Sequence, residues 1–220
     1  MIDLDEFKSR VNSFPHWGNF DYLWEWKIRV ESNGANHILD ANHREETYCR
    51  LREILPKLQT YRMGDSTDPL EILRDSLRNI PEAYDQIRRY TLLEFDEVPR
   101  ESLEIIWHEL GRVKERDGNR NDHGHYYIIA VCKPLLLMWG QTLGFDTKVR
   151  KHCSQSYGVP RYSHRWNLEL WLSVMEEFSG YLNENVGCVE AIKAESERRY
   201  GANFLVPYGR FLDIFYWMGS

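Results

Sequence analysis

Along most of the chain, apolar residues recur every three or four positions, the spacing of one helix face. In "HREETYCRLREILPKLQTYR" (43–62) that face is Tyr48, Leu51, Ile54, Leu55 and Leu58, with Asn42 and Glu45 placed as a capping box at its start. "STDPLEILRDSLRNI" (66–80) opens on Ser66, Thr67 and Asp68 followed by Pro69. That is a strong helix start, because proline has no N–H to leave unpaired in the first turn. "PEAYDQIRRYTLLEF" (81–95) reads as a further helix. "PRESLEIIWHELGRVKER" (99–116) reads as another, with Leu103, Ile106, Trp107 and Leu110 as its stripe. "RWNLELWLSVMEEFSGYLNE" (165–184), "GCVEAIKAESERRYG" (187–201, stopped by Gly201) and "PYGRFLDIFYWM" (207–218) complete the series.

Two stretches break this pattern. "HYYIIAVCKPLLLMW" (125–139) is apolar on nearly all sides. It is expected as a helix buried at the centre of an all-α domain, with Pro134 kinking it or marking a fresh start. The first forty residues, including "FPHWGNFDYLWEWKIRVESNGANH", are rich in Trp and Gly. They are expected to be irregular or to hold a short hairpin, with Trp17, Trp24 and Trp26 packed on the helical body or presented at a site. The fold class is therefore all-α: a single globular domain over 1–220, divisible into helical lobes 1–100 and 101–220, with a central buried helix and a cleft.

Charge is unevenly spread. The chain carries a formal −6, yet Thr147–Trp166 holds Lys148, Arg150, Lys151, Arg161 and Arg165 with no acid among them, so the remainder carries −11. A net acidic protein does not coat nucleic acid nonspecifically, but a segregated basic run suits either a solvated face or a phosphate-binding one. Eight Trp and thirteen Tyr supply core mass and also surfaces for stacking. Cys49, Cys132, Cys153 and Cys188 fit no zinc or iron–sulfur spacing, and no cofactor is expected. The polar start "MIDLDEFKSR" and the lack of a long enough apolar run point to a cytoplasmic protein with no membrane partner.

Between the apolar run and the basic run stand a loop, "GQTLG" (140–144), and then "FDTKV" (145–149). Asp146 is well placed to cap the helix that follows, and a capping carboxylate can also face a ligand. The order of a central apolar helix, a loop and apolar–Asp–Thr–x–Val with basic residues behind resembles the catalytic segment of the helix-hairpin-helix DNA glycosylase superfamily, whose endonuclease III-like members carry "VDTHV". The likeness covers at most Gly111–His152. It implies a hairpin around Asp122, His123 and Gly124. Here that hairpin reads "NDHGHYY", with one glycine where the family has Leu-Pro-Gly-x-Gly. The lysine of bifunctional members is replaced in this region by His125, Tyr126 and Tyr127, and Lys133 lies about two turns further along.

What the resemblance implies is an enzyme that flips a damaged or modified base from duplex DNA and hydrolyses its N-glycosidic bond. An abasic site remains, in repair or in defence against modified DNA. Asp146 would be the catalytic residue, because a fixed carboxylate stabilises the positive charge that builds on the sugar. Gly124, His125, Lys148, Arg150, Lys151, Arg161 and Arg165 would hold the DNA, and Tyr126, Tyr127 and Trp139 are candidates for the base pocket.

Other classes stay open. A non-catalytic helical protein that binds nucleic acid or protein fits the same composition. So does a metal-dependent nuclease built on Asp122, His123 and His125, for which a further ligand is not apparent in the sequence. "GQTLG" lacks the lysine of a phosphate-binding loop. Glu104 and His108 share a helix face, and Asp213, an acid in an apolar stretch, calls for a cation such as Arg210 or Lys133.

Overall fold

The computed structural model describes residues 3–14, 19–32, 34, 36–58, 69–115, 124–160, 166–200 and 207–218. Among them are eleven α-helices: α1 Leu4–Ser13, α2 Asn19–Glu31, α3 Arg44–Ile54, α4 Pro69–Asn79, α5 Pro81–Ile87, α6 Arg100–Glu115, α7 Gly124–Trp139, α8 Thr147–Tyr157, α9 Leu168–Glu184, α10 Val186–Tyr200 and α11 Tyr208–Met218. A 3₁₀ helix, Leu92–Glu97, lies between α5 and α6, and no strand occurs among the described residues. The all-α expectation holds.

Helix α7 is the central element. Ile128, Ala130, Val131, Cys132 and Leu135–Trp139 are all buried, and the helix runs through Pro134 without ending there. Each large aliphatic side chain sequestered this way contributes roughly 1.5–3 kcal/mol. Helices α2 and α6 pack on α7, α1 packs on α11, and α11 packs on α8. Contacts therefore cross the division at residue 100. Two groups close the C-terminal end of α7: the Tyr84 hydroxyl donates to the Met138 carbonyl (2.9 Å), and the Trp139 indole donates to the Tyr90 carbonyl (3.2 Å).

Three expectations are corrected. Residues 19–31, expected to be irregular or a hairpin, form α2; Phe20, Leu23, Lys27 and Val30 are its buried face. The helical period was masked by Lys27, whose ammonium pairs inside the protein with Glu31. The single helix expected over 81–95 is two. Thr91 and Glu94 form a capping box, with the Thr91 N–H donating to Glu94 (2.9 Å), and this starts the 3₁₀ helix. The capping box expected at Asn42 and Glu45 is absent. Asp40 instead accepts from the N–H groups of Asn42 and His43, and Glu45 pairs with Arg74.

Candidate active site around Asp146 and Lys133

The loop from Gly140 to Asp146 connects α7 to α8 and is buried almost throughout. A buried loop needs partners for its backbone, and these come from distant elements. The Gly140 carbonyl accepts from the Arg210 N–H (3.1 Å), and the Gly144 N–H donates to Asp213 (2.8 Å). The Thr142 hydroxyl accepts from the Trp171 indole (3.2 Å), and the Gln141 side chain accepts from the Leu92 N–H (2.9 Å). Helix α11 lies directly on this loop at Gly209, where a Cβ would come within 2.4 Å of the Gln141 carbonyl carbon. Arg210 supplies the cation that Asp213 called for, donating to it at 2.6 Å.

Phe145, just before Asp146, has φ +45°, in the left-handed region that disfavours side chains. That conformation is unfavourable by roughly 1–2 kcal/mol and persists where surroundings over-determine it. Those surroundings are visible. The Phe145 ring is fully buried beside Trp166, and its carbonyl accepts from the Arg150 guanidinium (2.9 Å).

Asp146 is the N-cap of α8. One carboxylate oxygen accepts from the N–H groups of Lys148 (2.9 Å) and Val149 (3.1 Å). The other faces the Lys133 ammonium at 3.5 Å. Burial by itself would raise the Asp146 pKa, but the Lys133 charge and the two backbone donors outweigh it, so the carboxyl sits below its ordinary value and is ionised at neutral pH. Lys133 reaches this position across Gly144. A Cβ there would lie 2.8 Å from the ammonium nitrogen, so the missing side chain is what admits the lysine.

Lys133 also lines a pocket with about 530 Å³ of space, part of it open to solvent. Phe14, Phe20 and Trp217 supply aromatic walls, Leu58, Leu136 and Leu137 aliphatic ones, and Arg210 and Asp213 further charge. Arg210 stacks over Phe14 and Phe20, at 5.4 and 5.1 Å from the ring centroids. Aromatic walls around a few charged groups are the usual make-up of a small-ligand site.

The other sequence candidates divide. Lys151 is exposed on α8. Lys148 is half-buried, donates to the Trp217 carbonyl (3.2 Å) and lies over the Trp217 ring. Arg150 is not a phosphate contact in this structure: it is 1% exposed and engaged with the Phe145 carbonyl, because its position in α8 faces the core with Val149 and Cys153. Trp139 and Tyr127 do not line the pocket. Trp139 is buried against Phe95, and Tyr127 lies on Gly111 and Trp107 in the α6–α7 interface. Gly124 begins α7, but Asp122, His123, Arg161, Arg165 and Trp17, and the side chains of His125 and Tyr126, lie outside the described residues. Glu104 pairs with Arg100 rather than with His108. Among the described residues no cluster of three metal-ligating side chains occurs, and no helix is long and apolar enough to cross a membrane.

Lys133, Phe14, Phe20 and Trp217 were not assigned to a site by the sequence reading. A lysine inside an otherwise apolar helix was the available signal for the first of them. Compared with family models, with curated proteins and with solved structures, the chain matches none. A functional reading therefore rests on the residues themselves.

Proposed function

We propose that the protein is a DNA glycosylase acting on a damaged or modified base, with Asp146 as the catalytic carboxylate. The observation that carries this reading is the placing of an ionised carboxylate at a helix N-terminus, 3.5 Å from a lysine that lines an aromatic-walled pocket. Departure of the base leaves an oxocarbenium-like sugar. A carboxylate already ionised and held by two N–H donors stabilises that charge without reorganising. The flipped base would enter between Phe14, Phe20 and Trp217, where stacking replaces the neighbours it leaves in the duplex. The backbone phosphates would meet the exposed face of α8, where Lys151 is available.

The test is an abasic-site assay on duplexes carrying oxidised, deaminated or alkylated bases, with wild type and Asp146→Asn. Base release by the wild type that falls at least about a hundredfold in the variant is the expected result. Release unchanged in the variant removes Asp146 from the mechanism, and no release from any duplex removes the glycosylase reading in favour of a binding protein.

A second reading follows from the same separation. Once deprotonated, the Lys133 amine can itself attack the C1′ that Asp146 faces, expelling the base with one amine proton. The ring C1′–O4′ bond then opens, its oxygen taking a proton from water, to give an iminium. Loss of the C2′ proton then breaks the 3′ C–O bond of the strand. Borohydride reduces such an iminium to a stable protein–DNA adduct. Trapping in the wild type, and its absence in Lys133→Gln, is the expected result of this route. Abasic product without any trapped adduct assigns Lys133 to holding Asp146 alone.

A further inference from the structure

A second pocket lies along the C-terminal part of α8. It holds about 410 Å³ of space, partly open, between α8, α9 and α11. Tyr157, Phe178, Tyr181 and Tyr216 bring four aromatic rings to its lining, with Glu177 at its edge and the buried Cys153 below. Nothing in the Asp146 site uses these residues.

Three independent features give the pocket one electrostatic sense. The first is the aromatic lining itself, since ring faces carry negative potential and attract cations. The second is Glu177, an exposed carboxylate that accepts from the Tyr157 hydroxyl. The third is the end of α8: Cys153 and Tyr157 stand in its C-terminal part, where the unsatisfied carbonyls make the negative pole of the helix. The last turn of α8 carries no basic residue to offset that pole, although such a residue is common there. Among the described lining residues none is cationic. Arg10, whose charge reaches Tyr216, is committed to Glu6 and to the Phe215 carbonyl (3.2 Å).

We propose that this pocket binds an organic ammonium ion. A metal ion is the poorer fit. Calcium or magnesium demands several oxygen ligands, whereas among the described lining residues Glu177 is the single carboxylate. Burial pushes the Cys153 thiol up to about 12, so it stays protonated and is not a thiolate ligand. A poorly hydrated cation with methyl or methylene groups gives up little hydration on entering, and its hydrocarbon surface packs against the rings.

Saturation-transfer NMR on the full chain with choline tests this, against the neutral alcohol that has carbon in place of the choline nitrogen. Choline is expected to receive saturation, and the neutral isostere to bind at least about tenfold more weakly. Glu177→Gln, on an exposed side chain and so compatible with folding, should weaken choline about fivefold or more. Tyr181→Leu should weaken it as well, through the loss of one ring. Equal binding of the neutral isostere, no transfer to choline, or choline binding unaltered by Glu177→Gln would each overturn the proposal. A short trimethyllysine peptide added in competition separates the sources. Displacement of choline by the peptide, but not by its unmethylated form, places the cation on a protein partner; displacement by free ammonium compounds alone places it on a small molecule.

Discussion

The Asp146 carboxylate is shared between two helices: one oxygen caps α8 through the Lys148 and Val149 N–H groups, and the other faces Lys133 of α7 at 3.5 Å. One side chain thus ends a loop, starts a helix and neutralises a nearly buried ammonium. The two roles separate under substitution.

Asp146→Asn keeps the cap, because asparagine caps as well as aspartate does. It removes the charge facing Lys133. The expected stability loss is about 1–2 kcal/mol, from a mostly buried ammonium left without its partner. Asp146→Ala should lose about 1 kcal/mol more, the usual value of a missing cap. Denaturant titration of the two variants measures the difference.

Acid should reveal the same pairing. The folded-state pKa of Asp146 is depressed, so its contribution to stability is complete above its ordinary value of 3.8 and is lost as pH falls through the lower folded value. In Lys133→Met the largest favourable influence disappears and burial pushes the other way. Carboxyl NMR titration should then place the Asp146 midpoint above its wild-type position, and the window of lost stability should move up with it. An unmoved midpoint would show that the backbone N–H groups alone hold the carboxyl ionised.

Gly144→Ala probes how the lysine is admitted. The new methyl would sit within 2.8–3.1 Å of the last three heavy atoms of Lys133. The end of a lysine is flexible, so the ammonium should swing aside at a cost of about 1 kcal/mol or less. The Asp146 pKa should rise as in Lys133→Met, while Lys133 itself remains present. Denaturant titration and the carboxyl titration together distinguish a moved lysine from a damaged fold.

At Gly209 the obstacle is backbone. Alanine is the better helix former by roughly 1 kcal/mol. Its methyl, however, would lie within 2.4–2.5 Å of main-chain atoms of Gln141 and Thr142, which have nowhere flexible to go. Overpacking should win, and Gly209→Ala should be destabilised by about 1–3 kcal/mol in denaturant titration. A gain in stability would mean that α11 can move off the loop freely.

Neighbouring cations of α8 should behave in opposite ways. Arg150→Ala removes a buried group that bonds the Phe145 carbonyl, and about 2–4 kcal/mol of stability should go with it. Lys151→Gln should leave stability within about 0.5 kcal/mol. If α8 meets duplex DNA, the same change should lower the slope of log affinity against log salt by about one. Binding measured across a salt series reads both.

Helix α7 was legible from its continuous apolar run, and helical spacing revealed α3, α4, α6 and α9 because in each of them polarity and burial largely coincide. It failed where they part. Lys27 sits on the buried face of α2, and the resulting pattern does not look amphipathic. Asp146 as an N-cap was legible, since capping is local chemistry between residues two and three apart. Its meeting with Lys133 was not, because the path of the buried loop between them is set by Asp213, Gly209 and Trp171 from elsewhere in the chain. Arg150 and Lys151 are adjacent members of one basic run, and their opposite fates depend only on helix phase. The apolar neighbours Val149 and Cys153 carried that phase. The pocket walls were the least visible part, assembled from Phe14, Phe20 and Trp217, which no local pattern connects.

The bond from the Gly144 N–H to Asp213 spans 69 residues of sequence. Synthesis therefore makes α7, Lys133 and Asp146 well before it makes the helix that fixes the loop between them. A nascent chain that has reached α8 carries the carboxylate and the amine but not the geometry that pairs them. The order of manufacture thus places the Asp213 that holds this loop among the last parts of the chain to emerge.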